Sequence, residues 1–101
     1  MKRVIVRYKV KPEAVAENEE LVRAVYEELK QTQPAGMRYA TFKLDDGVSF
    51  VHINFNADTD DVLTGLASFK AFQQNIGERC DETPKVSDLL EIGSYRFDSA
   101  G

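Results

Sequence analysis

This 101-residue chain has one cysteine, one histidine and no tryptophan. One cysteine cannot form an internal disulfide, which fits a protein of the reducing cytoplasm. No apolar run is long enough to predict a membrane span, and the charged segment 1–7 is not typical of a signal peptide. The sequence also lacks a glycine-rich phosphate loop and a nucleophile elbow, two common marks of nucleotide-binding proteins and hydrolases.

Charge and composition narrow the class of protein further. Thirteen Lys and Arg against seventeen Asp and Glu leave a net charge of −4, without the basic excess that nucleic-acid binding needs. Apolar residues make up 43% and charged residues 30%, which is typical of a globular protein. We therefore expect one domain over residues 1–101, with neither a nucleic acid nor a membrane as partner.

Hydrophobic periodicity divides the chain into six elements. In chain order we predict a strand over 2–11, a helix over 13–33, strands over 37–45 and 48–56, a helix over 60–80 broken near 65–68, and a last strand within 86–98. Asp45-Asp46-Gly47 predicts a hairpin turn between the second and third strands. The order β-α-β-β-α-β predicts a ferredoxin-like α+β fold, in which two helices cover one face of a four-stranded antiparallel sheet of order 4-1-3-2.

The two faces of this sheet both carry large apolar residues. The face expected under the helices consists of Val4, Val6, Tyr8, Ala40, Phe42, Leu44, Val51, Ile53, Phe55, Leu90 and Ile92. The opposite face is expected to carry Ile5, Met37, Tyr39, Phe50, Tyr95 and Phe97 beside the polar residues Arg7, Thr41, His52, Asn54 and Glu91. An exposed apolar patch of this size marks an interface, and a two-fold homodimer is the commonest way to bury one. The expected dimer contacts are Ile5, Tyr39, Phe50, Glu91, Tyr95 and Phe97.

A family resemblance rests on segments 67–72 (Ala-Ser-Phe-Lys-Ala-Phe) and 90–97 (Leu-Glu-Ile-Gly-Ser-Tyr-Arg-Phe), with Pro84 before the latter. Over nearly its whole length the chain resembles the dimeric α/β-barrel proteins, and among them the small antibiotic-biosynthesis-monooxygenase-like domains. The resemblance implies a pocket between sheet and helices for a small, often aromatic molecule. It also implies oxygenation without a cofactor in some members, and haem degradation in others.

The chain departs from the oxygenases and haem degraders of that family at specific residues. It has no Trp, and Arg7 and Tyr8 stand on the first strand where an oxygenase would have an Asn. The second helix has Lys70 but no His of the kind that haem degraders use. Two functions therefore stay open, a cofactor-independent oxygenase and a non-catalytic ligand-binding or accessory dimer, and the fold alone does not decide between them.

Tyr8 and His52 are the candidate catalytic residues, since a neutral His52 could act as the base that removes a proton from a phenolic substrate, and the hydroxyl of Tyr8 could orient that substrate. His52 has no neighbouring cluster of metal ligands, so we expect no metal ion and no other cofactor. The other interpretation of His52 is a hydrogen-bonded histidine at the dimer interface.

The candidate ligand-binding residues are Arg7, Tyr26, Phe42, Phe69 and Phe72. The aromatic residues among them are expected to gather between sheet and helices, as a pocket lining or as plain core. Arg7 could anchor a carboxylate of a ligand, or form an ion pair with Glu91 on the neighbouring strand.

Overall fold

A computed structural model describes residues 2–57 and 62–97 of the chain. The strands are β1 (Lys2–Val10), β2 (Met37–Lys43), β3 (Ser49–Asn56) and β4 (Cys80–Asp88). The helices are α1 (Val15–Thr32), α2 (Ala67–Gln73) and α3 (Ile76–Arg79), with 3-10 turns at Pro12–Ala14 and Leu63–Gly65. The predicted helix start at residue 60 and the predicted strand end at residue 98 lie outside the described residues.

The sheet has the order β2-β3-β1-β4 and every pairing is antiparallel. This confirms the ferredoxin-like fold, with β1 and β3 in the centre. The predicted hairpin turn joins β2 to β3, and Gly47 adopts the positive φ of 78° that such a turn requires. None of the described helices is long and apolar enough to cross a membrane.

The helices pack on one face of the sheet because their apolar stripes match it. On α1 the buried positions are Asn18, Val22 and Val25, at spacings of four and three residues. The buried core also includes Tyr8, Val10, Ala14, Phe50, Leu63, Leu66, Phe72 and Cys80. The core thus lies between the sheet and all three helices.

The predicted faces of β2 and β3 are wrong. Residues directly opposite in a sheet share a face, and His52 pairs with Val6 on one side and with Thr41 on the other. The helix-covered face therefore includes Phe50 and Tyr39, not Val51, Ile53, Phe55, Ala40 and Phe42. Side chains alternate along a strand, so an error of one position moves a whole strand to the other face.

The last strand is also placed wrongly by the sequence pattern. It runs over Cys80–Asp88 rather than within 86–98, and residues 89–97 are not in a strand. Leu90 and Ile92, expected in the core, are 89% and 99% exposed. Arg7 therefore lies opposite Lys85 of β4, and the predicted neighbour Glu91 is beyond the strand's end.

β4 is an edge strand, which explains why the hydrophobic periodicity did not predict its position. Among the described residues β4 pairs on one side only, with β1, and Pro84 lies where this register shifts, a place where a missing N–H is tolerated. Most β4 side chains are exposed, so their sequence shows no apolar alternation.

Candidate functional site

A cavity of about 460 Å³ lies between the sheet and the helices. Its wall is formed mainly by aliphatic and aromatic side chains from β1, β2, α2, α3 and the segment before α2, among them Val4, Val6, Tyr8, Tyr39, Leu63, Phe69, Phe72 and Ile76. Its polar lining consists of Lys2, His52, Asn54, Asn56, Thr64, Gln73 and Asp88. An apolar hollow with a few polar groups is the usual form of a small-molecule site.

Tyr8 and His52 form the buried polar centre of this wall. They lie on the paired central strands, and Tyr8 Oη is 2.8 Å from His52 Nε2. Asn18 of α1 donates a hydrogen bond from Nδ2 to Tyr8 Oη over 2.9 Å. Tyr8 Oη therefore accepts a hydrogen bond from Asn18. Its own hydroxyl proton can be donated to His52 Nε2, the acceptor beside it.

Two more hydroxyl groups contact the other nitrogen of the imidazole. His52 Nδ1 is 2.5 Å from Tyr39 Oη and 3.1 Å from Thr41 Oγ1. In the tautomer that accepts at Nε2 from Tyr8, Nδ1 carries the ring proton and can donate it to one of these oxygens. Thr41 Oγ1 is in turn 2.7 Å from Tyr26 Oη on α1.

Burial controls the charge of the pair. It lowers the pKa of His52 to about 4, because the imidazolium form is poorly solvated there. It raises the pKa of the Tyr8 hydroxyl far above its usual value, against the opposing effect of the Asn18 hydrogen bond. At neutral pH both side chains are therefore uncharged, with one proton donor and one acceptor between them.

Helix α2 is fixed at both ends, which positions Phe69 and Phe72 over the cavity. At its start, Glu28 of α1 accepts hydrogen bonds from the backbone N–H and the hydroxyl of Ser68. These bonds hold the pKa of Glu28 below its usual value. At its end, the buried Arg79 donates to the carbonyl oxygens of Phe72 and Gln74.

The structure brings together four of the predicted site residues. Tyr8, His52, Phe69 and Phe72 all line the cavity. Tyr26 does not line the cavity itself. It stacks on Tyr39, which does, at a ring distance of 5.3 Å, and it is hydrogen-bonded to Thr41.

Arg7 and Phe42 do not line the cavity. Both side chains lie on the face of the sheet that the helices leave uncovered, because Arg7 follows Val6 and Phe42 follows Thr41 on strands whose alternate residues face the helices. The expectation that Phe42 lies between sheet and helices is therefore wrong, whereas Arg7 lies on the helix-free face, as expected from the sequence. Ligand binding by either residue stays a prediction.

The sequence interpretation missed the asparagines of the site. Asn18 is fully buried, and Asn54 and Asn56 line the cavity. The carbonyl oxygens of Asn18 and Asn54 are buried and have no hydrogen-bond partner among the described residues. A signal existed for Asn18, since it is a polar residue within the apolar stripe of α1 between Ala14 and Val22.

Metal ligands do not cluster in the part of the chain that the structure describes. No group of three or more His, Cys, Asp or Glu side chains could hold an ion there. The free Cys80 is buried, and burial raises its thiol pKa.

Comparison with solved structures places the fold among known ones. A protein described as an antibiotic biosynthesis monooxygenase superposes with a TM-score of 0.77 at 23% identity, over 92% of this chain and all of the other. Rv0793 from Mycobacterium tuberculosis gives a TM-score of 0.74 at 20% identity, over 92% and 96% of the two chains. A mutant of SnoaB, a cofactor-independent oxygenase from Streptomyces nogalater, gives 0.67 at 16%, over 92% and 94%.

Neither a protein-family model nor a curated protein sequence matches the chain. The structural similarity confirms that the chain has the fold of the antibiotic-biosynthesis-monooxygenase-like domains.

Proposed function

We propose that the cavity binds a small aromatic molecule that carries a ring hydroxyl, and that this hydroxyl meets the Tyr8–His52 pair. The observation that carries this proposal is the hydrogen-bonded, uncharged pair in the wall of an otherwise largely apolar hollow. The volume of the cavity suits a ligand of one to a few rings. Phe69 and Phe72, whose ring centres are 5.9 Å apart, offer it an aromatic surface.

The polar groups of the cavity also indicate where a second oxygen of the ligand would lie. Asn54 follows His52 by two positions on β3, so the two side chains enter the cavity about 7 Å apart along the strand. The buried Asn54 Oδ1 is an acceptor that a ligand hydroxyl could satisfy. A dihydroxy-aromatic compound would use both positions.

Oxygenation of such a compound without a cofactor is the reaction that the site would support. The ring hydroxyl would give up its proton towards Tyr8 and His52, and the electron-rich anion would then react with dioxygen. The similarity of fold to SnoaB, described as a cofactor-independent oxygenase, supports this reaction.

A non-catalytic binding protein is the second candidate. The low pKa of His52 makes its imidazole a weak base, and the chain has no Trp. Both features favour binding of the ligand without turnover.

Titration calorimetry and oxygen uptake with a panel of hydroquinones and dihydroxynaphthalenes would test the proposal. We expect Tyr8→Phe to weaken binding about tenfold, the effect of one lost hydrogen bond of about 1.4 kcal/mol. His52→Ala should abolish oxygen uptake if the reaction occurs.

The matched control for Tyr8→Phe is Tyr95→Phe, since Tyr95 is 80% exposed and lies outside the cavity. Circular dichroism should show that each variant is folded. Binding without oxygen uptake would favour the non-catalytic protein, and a panel without a single binder would contradict the proposal as a whole.

We also propose that a second copy of the chain covers the helix-free face of the sheet. This face carries Ile5, Ala40, Phe42, Val51, Ile53 and Phe55. Phe42 is 56% exposed, and Phe97 packs on Phe55 at a ring distance of 6.1 Å. Of the interface residues expected from the sequence, Ile5 and Phe97 lie on this face, whereas Tyr39 and Phe50 face the helices.

Introducing a charge on this face should separate the two copies. We expect the unaltered chain to sediment as a dimer at micromolar concentration and Phe42→Asp to sediment as a monomer, because a buried unpaired carboxylate is costly. Ala24→Asp on the exposed side of α1 is the control and should remain dimeric. A monomeric unaltered chain would refute the second proposal without affecting the first.

A further inference from the structure

A continuous line of hydrogen-bonding groups leads from the cavity to a groove between α1 and β2. It starts at Tyr8 and His52 in the cavity wall and continues through Thr41 to Tyr26. The successive contacts measure 2.8, 3.1 and 2.7 Å. Tyr26 is half-buried and lines a separate open groove between α1 and β2, together with Lys30 and Met37. The line therefore connects the cavity with a second hollow, and Tyr39 lines both.

One tautomer of His52 gives the hydrogen bonds along this line a single direction. In it, Asn18 donates to Tyr8 Oη, Tyr8 donates to His52 Nε2, and His52 Nδ1 carries the proton that faces Tyr39 and Thr41. A hydroxyl can accept one proton while it gives up its own, as Thr41 would between His52 and Tyr26. Each group in the line can thus receive a proton from the cavity side and release one to the groove side.

We propose that Thr41 and Tyr26 are the proton exit of the cavity and act through His52. The proton of a ligand hydroxyl moves to Tyr8 Oη while the Tyr8 proton moves to His52 Nε2. At the same time the Nδ1 proton moves to Thr41 Oγ1, the Thr41 proton to Tyr26 Oη, and the Tyr26 proton to water in the groove. One proton leaves the ligand and one enters the solvent, and no side chain gains a net charge.

The low pKa of the buried His52 would disfavour a step that leaves an added proton on the imidazole, and the proposed exit avoids such a step. His52 only exchanges one tautomer for the other, so an imidazolium ion does not accumulate in the cavity wall. The inference deepens the proposed function, since the proton comes from the ligand proposed above. Tyr39 Oη also contacts Nδ1, and Tyr39 lines both the cavity and the groove, so it is the competing route for the same proton.

The test uses nitrogen-15 NMR of the full chain and needs no ligand. His52 is the only histidine, so its ring signals require no assignment by mutation. We expect the ring proton on Nδ1, and we expect its exchange with water to slow at least tenfold in Thr41→Val and in Tyr26→Phe. Thr41→Ser keeps the hydroxyl and should restore the exchange, whereas a merely structural role of Thr41 would not distinguish Val from Ser in this way.

Tyr39→Phe tests the competing route, because it removes the other hydroxyl contact of Nδ1, and we expect it to slow the exchange less than Thr41→Val does. A larger slowing in Tyr39→Phe would overturn the proposal. Tyr95→Phe is the control, because it removes an exposed hydroxyl outside both hollows and should leave the exchange rate unchanged. If exchange in the unaltered chain is too fast for the Nδ1 proton to be detected, the NMR signal of this proton should appear in Thr41→Val. Equal exchange in Thr41→Val and the unaltered chain, a signal absent from both, or a proton on Nε2 would overturn the proposal.

The outcome separates this inference from the proposed function. Slower exchange in Thr41→Val and Tyr26→Phe, together with no binding of any hydroquinone, would support the proton exit and contradict the proposed ligand. Binding of a hydroquinone with unchanged exchange in these variants would support the ligand and contradict the exit.

Discussion

Phe72→Ala is expected to lower the free energy of unfolding by about 3 kcal/mol, towards the lower end of the range for buried aromatic residues because one side of this ring faces a cavity. Phe72 is 5% exposed. Its ring centre is 6.0 Å from that of Tyr8 and 5.3 Å from that of His52, and the Arg79 guanidinium lies over it at 5.5 Å. The substitution removes all of these contacts together, and urea denaturation measures the loss.

The control is Phe69→Ala, since Phe69 also lines the cavity but is only half-buried. We expect it to cost roughly half as much, because less apolar area returns to water. Equal losses for the two variants, or a loss below about 1 kcal/mol for Phe72→Ala, would show that Phe72 is not packed as described.

The fold itself could be predicted because local patterns determine it. The alternation in β1, the apolar stripe of α1 and the turn at Asp45-Asp46-Gly47 each fix one element, and short right-handed connections then leave the ferredoxin-like arrangement. The strand order follows from these rules without any knowledge of side-chain contacts.

The faces of the sheet could not be predicted because β3 is apolar on one face and mixed on the other. Val51, Ile53 and Phe55 form the more apolar row, and hydrophobic burial within one copy would place that row under the helices. The structure instead places Phe50, His52 and Asn54 there. A partly polar row faces the helices because its members His52 and Asn54 line the cavity, and the apolar row lies on the helix-free face.

The site could be predicted only in part, because its contacts join distant positions. Tyr8 and His52 are 44 residues apart in sequence, and their pairing depends on the register of β1 with β3. Both residues line the cavity, but the sequence analysis placed only Tyr8 on the helix-covered face and was wrong in placing His52 on the opposite one. Their catalytic role stays a prediction. The partners that orient them, Asn18 and Thr41, become visible only when α1 and β2 are placed.

Acidification is expected to destabilise the chain well above the usual range of carboxyl pKa values. The His52 side chain has a pKa of about 4 in the folded state against 6.5 for an unperturbed histidine. As the pH falls below 6.5, the unfolded chain binds a proton at His52 that the folded chain does not bind until about pH 4. The folded state therefore loses stability across this window, by about 2 kcal/mol between pH 7.5 and pH 5.

Urea denaturation at the two pH values, at one protein concentration, measures this loss. His52→Gln is the matched variant, because glutamine keeps one donor and one acceptor but does not titrate, and its stability should change little between pH 7.5 and 5. The lowered pKa values of Asp46, about 2, and Glu28 act only at lower pH, since their unfolded forms gain protons mainly below pH 5. A loss of the same size in His52→Gln would mean that another group is responsible, and no loss in the unaltered chain would mean that His52 is solvated rather than buried against Tyr8.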